Sequence, residues 1–123
     1  SSDLQRGTPM FVCTNTERVL ADPCIDAIGR QYFVDTITGD EVDNPKPAPE
    51  MYLEAARRAG TQPEECLVVE DSFTGMSAGA AAGCAVLGLA DDVPAGVYRF
   101  DPANFVGADA NDVYRWFSAA RQG

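Results

Sequence analysis

The sequence predicts an α/β domain, a mostly parallel sheet with helices on both faces. Two observations predict it. Short apolar runs rich in β-formers stand at Pro9–Cys13, Glu65–Val69 and Cys84–Leu89. Helical patterns fill the intervals between them, and strands alternating with helices imply right-handed crossovers. The 123 residues, 46% of them hydrophobic, suffice for one core, so a single domain over 1–123 is expected. There is no internal repeat or low-complexity tract.

In chain order, Pro9–Cys13 reads as the first buried strand. The Glu17–Ile28 segment is a less regular helix, because Pro23 must either start a second short helix capped by Asp22 or kink a single one. Asp35–Thr38 is a weaker strand. A helix over Glu50–Ala59 begins after Pro49, aligns Met51, Ala55 and Ala59 on one face, and stops at Gly60. After the Glu65–Val69 strand, Ser72 is placed to cap a helix through Gly75, Met76 and Ala80 to Gly83, whose small residues allow close approach to a sheet. Cys84–Leu89 is the next strand and Val97–Phe100 a candidate edge strand. Asn111–Arg121 closes the chain as a helix with Val113, Tyr114, Phe117 and Ala120 for packing.

Composition excludes several functions. Nine basic against nineteen acidic residues give a net charge of -10, the wrong sign for a nucleic-acid backbone or an anionic membrane. No apolar run approaches the ~20 residues that span a bilayer, and Ser1–Arg6 has no apolar signal core, so a cytoplasmic protein is expected. With no histidine and four widely spaced cysteines, Cys13, Cys24, Cys66 and Cys84, a structural zinc site or a histidine-assisted hydrolase lacks its parts. Buried free thiols are the expectation, and any metal should be a hard, oxygen-bound cation.

Ligands of parallel sheets gather at the carboxyl ends of the strands. Three signals fall in that layer. Asn44-Pro-Lys-Pro-Ala-Pro49 stiffens the backbone around Lys46, the only lysine, and a fixed ammonium near a phosphate would neutralise charge that shifts during phosphoryl transfer. A proline-stiffened turn with a solvated lysine explains the same residues equally well. Leu67-Val-Val-Glu-Asp-Ser-Phe-Thr-Gly75 delivers two adjacent carboxylates from a strand into a helix start, a set that suits Mg²⁺. Helix capping by Asp71 or Ser72 is the commoner use of such residues, but leaves Glu70 without a role. In Val12-Cys-Thr-Asn-Thr16, Thr14 and the Asn15 amide could hold a phosphate oxygen, while Thr16 alone could be a plain helix cap.

Together, Thr14, Lys46 and Glu70-Asp71 resemble the second, third and fourth motifs of the haloacid dehalogenase (HAD) superfamily. Lys-Pro-Ala-Pro, Val-Val-Glu-Asp-Ser-x-x-Gly and Ala-Ala-Ala-Gly are most similar to its branch of β-phosphoglucomutases and phosphoglycolate-type phosphatases. The resemblance runs from about Leu4 to Leu89. It implies a Rossmann-like core, phosphoryl binding by Thr14 and the Asn15 amide, charge neutralisation by Lys46, and Mg²⁺ held by Asp71 with Glu70 as ligand or supporting partner. The substrate would be a small phosphorylated metabolite.

The family's chemistry starts with an aspartate that attacks phosphorus, followed two residues later by an acid-base aspartate. That Asp-x-Asp pair belongs on a strand well upstream of Thr14, and the thirteen residues before Thr14 do not carry it. The acids of 22–26, 40–43 and 91–92 follow no buried strand with that spacing, and Asp3–Pro9 resembles the end of a helix leading into the second-motif strand. The cap domain that follows the missing strand, and with it much of the substrate choice, is also lacking. The expectation is therefore the C-terminal portion of a Mg²⁺-dependent phosphatase or phosphomutase, inactive alone. The alternative is a non-catalytic HAD-fold remnant that binds a partner, or itself, through an exposed sheet edge. A response-regulator-like receiver would need its acidic pair earlier and its lysine later than they occur.

Overall fold

The computed structural model describes residues 9–122. Strand β1 (Phe11–Thr14) is followed by helix α1 (Arg18–Ile28), β2 (Asp35–Thr38), α2 (Glu50–Ala59), β3 (Leu67–Glu70), α3 (Phe73–Ala82), β4 (Ala85–Gly88), β5 (Tyr98–Arg99) and α4 (Ala110–Gln122). All strand pairs are parallel, β1 with β2, β3 with β4, and β4 with β5. The predicted α/β class and its order of elements are borne out.

The strands form two hydrogen-bonded sheets rather than one, β1-β2 and β3-β4-β5. β3 and β4 pair from Leu67 opposite Ala85 to Glu70 opposite Gly88, so β4 is enclosed and all four of its residues are buried. On one face Val68, Met76, Ala78 and Val86 pack with Tyr52 of α2. On the other, Ala85, Leu87, Phe100 and Ala120 pack with Trp116 and Phe117 of α4. Helices thus cover both faces, and each fully buried Leu, Val or Met side chain contributes roughly 1.5–3 kcal/mol. The small residues of α3 act as expected: a Cβ on Gly79 would lie 2.9 Å from Val86 and 3.2 Å from Val68, so only glycine lets the helix come this near.

Of the two alternatives for the Glu17–Ile28 segment the structure takes the single helix, with Pro23 inside α1 and no second helix. Burial of Ala21 and Ile25, and the Arg18 side chain bonded to Asp22, Thr36 and Glu41, hold the helix despite the missing N–H. Two other expectations are corrected. On α2 the buried stripe is Met51, Tyr52 and Ala56 instead of Met51, Ala55 and Ala59. Tyr114 on α4 is exposed rather than packed, Trp116 taking its place against Phe100. The helical ending expected over Asp3–Pro9 lies outside the described residues, apart from Pro9.

All four cysteines are free thiols; Cys84 is buried, Cys13 and Cys66 are half-buried, and Cys24 is exposed. Burial pushes the Cys84 thiol up to about 12 and Cys13 up to about 11, the latter opposed in part by Lys46. Among the described residues no helix is long and apolar enough to cross a membrane.

Candidate functional site

Between the two sheets runs a groove of about 1450 Å³. Its floor and sides are β1 and β3, with α2 residues Ala55, Ala56 and Ala59 on one side and α4 residues Val113, Trp116 and Phe117 on the other. β1 bonds only to β2, and β3 only to β4 among the described strands, so the edges facing the groove carry unpaired main-chain groups.

At the carboxyl ends of these strands one side chain joins the two sheets. The Lys46 ammonium donates to the main-chain oxygen of Cys13 at the end of β1, at 2.7 Å, and to Glu70 Oε2 at the end of β3. The Lys46 and Glu70 side chains are only 8% and 10% exposed, so water screens their attraction weakly. The Tyr52 hydroxyl donates to the same Glu70 oxygen, and the Lys46 ammonium lies 5.1 Å from the centre of its ring. Burial, and then the adjacent Glu70 carboxylate, drive the ionisation of Tyr52 far above the usual phenol range, so its hydroxyl stays a donor.

The Lys46 main chain is fixed as firmly. Asn15 Oδ1 accepts from the Lys46 N–H at 2.9 Å, and Asn15 Nδ2 donates to the Lys46 carbonyl at 3.0 Å. The prolines around Lys46 set the loop, and the carboxamide pins it to the end of β1. The lysine is therefore no solvated turn residue.

At the opposite wall, Ser72 Oγ caps α3 by accepting from the Gly75 N–H at 3.0 Å and lies 3.4 Å from Glu70 Oε1. Gly75 makes room for the carboxylate, since a Cβ there would stand 2.1 Å from Glu70 Cδ. Asp71 is exposed on the groove rim. Thr14 Oγ1 accepts from the Thr16 N–H at 3.2 Å and keeps its own proton to donate.

Thr14, Asn15, Lys46, Glu70 and Asp71 thus line one groove, although up to 57 residues separate them. Capping of α3 falls to Ser72, which leaves the two acids for other work. Sequence reasoning missed Tyr52. A tyrosine on a buried helical face needs a partner for its hydroxyl, and that was the available signal. The donors facing the groove are carboxylate oxygens, which fit a hard cation such as Mg²⁺ that takes one or two carboxylates and keeps waters. Among the described residues no three Asp, Glu, His or Cys side chains converge to enclose a metal unaided.

The fold and the rim define a parallel α/β domain that gathers an ammonium, hydroxyls and carboxylates at its strand ends. A family model described as haloacid dehalogenase-like hydrolase matches residues 3–83, and the chain belongs to that family. It is similar to the fructose-1-phosphate phosphatase YqaB of Escherichia coli K12, 41% identical over 76 residues that make up 61% of this chain and 40% of that protein. It is also similar to the phosphoglycolate phosphatase of Escherichia coli K12, 38% identical over 85 residues, 68% of this chain and 34% of that one. A solved structure of a HAD family hydrolase from Deinococcus radiodurans, with bound phosphate and sodium, superposes with a TM-score of 0.67 at 27% identity, covering 95% of this chain and 55% of that chain. The chain spans well under half the length of these curated relatives.

Proposed function

We propose that the chain is the C-terminal portion of a Mg²⁺-dependent HAD phosphatase or phosphomutase acting on a small phosphorylated metabolite in the cytoplasm. The observation that carries this reading is the Lys46 ammonium bridging the carboxyl ends of β1 and β3 beside Thr14 and Asp71. Lys46 would neutralise the transferring phosphoryl group, the Thr14 hydroxyl and Asn15 N–H would donate to its oxygens, and Asp71 with Glu70 Oε1 would hold Mg²⁺. Bound there, the cation would supply charge stabilisation to phosphate oxygens. The phosphate and sodium in the Deinococcus structure support a phosphate-and-cation reading of the same fold.

The groove supports the second part of the reading, that the chain is a single incomplete core domain and inactive alone. Two parallel strands whose free edges face one slot are arranged to receive an extended segment between them. A segment parallel to both would end at Lys46, where an attacking aspartate is wanted. The same free edges support the second reading, a non-catalytic module that self-associates or binds a partner strand. With its net charge of -10, the chain should bind neither nucleic acid nor an anionic membrane.

Adding a polypeptide that carries an apolar strand ending in Asp-x-Asp should produce Mg²⁺-dependent hydrolysis of p-nitrophenyl phosphate, abolished by Lys46→Ala. Full activity of the homogeneous 123-residue chain by itself would overturn the proposal.

A further inference from the structure

We propose that Tyr52 is a positioning residue that commits Glu70 Oε2 to the Lys46 ammonium and leaves Oε1 turned toward the groove. The purpose of that division rests on the phosphate-and-cation reading above; the division itself does not.

The Tyr52 hydroxyl and the Lys46 ammonium both donate to Oε2, two donors for an oxygen with two lone pairs. Oε2 is therefore saturated. Among the described residues Oε1 has only the Ser72 hydroxyl at 3.4 Å, a long contact, and Ser72 Oγ is already engaged by the Gly75 N–H. One oxygen of the carboxylate is consumed inside the fold and the other is available. Gly75 keeps the space in which the carboxylate lies, since any Cβ would stand 2.1 Å from Glu70 Cδ.

The ammonium is held in the same division. Cys13 O and Glu70 Oε2 take two of its three protons, and the Tyr52 ring lies beneath it, leaving the third proton for a ligand. Without the phenol donor, Glu70 could rotate and offer both oxygens to Lys46, and the ammonium would lose its fixed direction. Phenylalanine at this position would keep the ring and its packing but not the donor. The hydroxyl, not the bulk, is thus the part assigned to positioning.

The sequence provides the probe, because Lys46 is its only lysine. The 123-residue chain and its Tyr52→Phe variant are treated with acetic anhydride, and acetylation of Lys46 is followed by peptide mass spectrometry with the N-terminal amine as internal reference. The variant should label about five- to ten-fold more slowly, because a carboxylate freed of the phenol can hold the ammonium with both oxygens, a gain of about one ordinary hydrogen bond; circular dichroism at the labelling temperature checks that the variant is folded. An unchanged or faster labelling rate in a folded variant overturns the proposal. If the variant does not fold, NMR of the wild-type chain decides: a slowly exchanging Tyr52 hydroxyl proton close to Glu70 supports the assignment, and a rapidly exchanging one overturns it. Inorganic phosphate is added to the wild type in a parallel arm. Failure of phosphate to slow labelling would count against the phosphate reading while leaving the Tyr52 result to stand alone.

Discussion

Lys46→Met is the most informative perturbation of stability, because it removes the side chain that, among the described residues, bonds to both sheets at the groove rim. It leaves Glu70, 10% exposed, as a buried carboxylate without its cation, and strips the Cys13 carbonyl of a donor. Removing one partner of a buried pair costs about 3–5 kcal/mol. The low end applies, about 3 kcal/mol, because Tyr52 still donates to Glu70 and Glu70 lines the open groove. Urea denaturation at pH 7 measures the loss. Glu70→Gln in the Lys46→Met background removes the stranded charge, so the double variant should be more stable than the sum of the single changes by about 2 kcal/mol. Additivity within about 0.5 kcal/mol would refute the claim that these groups form one desolvated pair.

Two further outcomes follow from other contacts. A Cβ on Gly39 would stand 2.1 Å from the main-chain oxygen of Asn15, so Gly39→Ala must displace the strand end that carries the clamp on Lys46; a cost of about 1–3 kcal/mol is expected, and an unchanged thermal midpoint would contradict it. Arg57, and then Arg58, hold the half-buried Glu54 carboxyl down to about 2 from 4.5. A depressed carboxyl stabilises the fold above its unfolded value and loses that contribution as pH falls toward the folded one. The gap in thermal midpoint between wild type and Glu54→Gln should therefore be small at pH 7, shrink below pH 4.5 and vanish near pH 2; a gap that widens on acidification would count against the assignment.

The strands and helices were legible because their residues carry strong local marks: an apolar run with paired valines at Leu67–Val69, prolines before α2, and a hydroxyl at position 72 followed by glycine at 75. Lys46 and Glu70-Asp71 were legible because a lone lysine among prolines and a doubled acid at a strand end are unusual in combination. Tyr52 was not, since one aromatic on an amphipathic helix has the same pattern whether it packs on carbon or donates to a carboxylate. Nor was the role of the Asn15 side chain, whose two bonds reach a main chain 31 positions away. No residue marked the division into two sheets; only the resemblance, which placed a further strand upstream of Thr14, pointed to an exposed edge. An unpaired strand edge is a matter of main-chain groups, and those are the same in every residue but proline.

The account as a whole stands on one anion position, at the rim where β1 and β3 end. Crystals of the chain, with or without a complementing strand peptide, soaked in tungstate would show that position directly, because the tungsten gives an anomalous peak. The account predicts a peak within hydrogen-bonding reach of the Thr14 hydroxyl and the Lys46 ammonium, lost in Lys46→Ala. Tungstate bound only elsewhere on the molecule would contradict it.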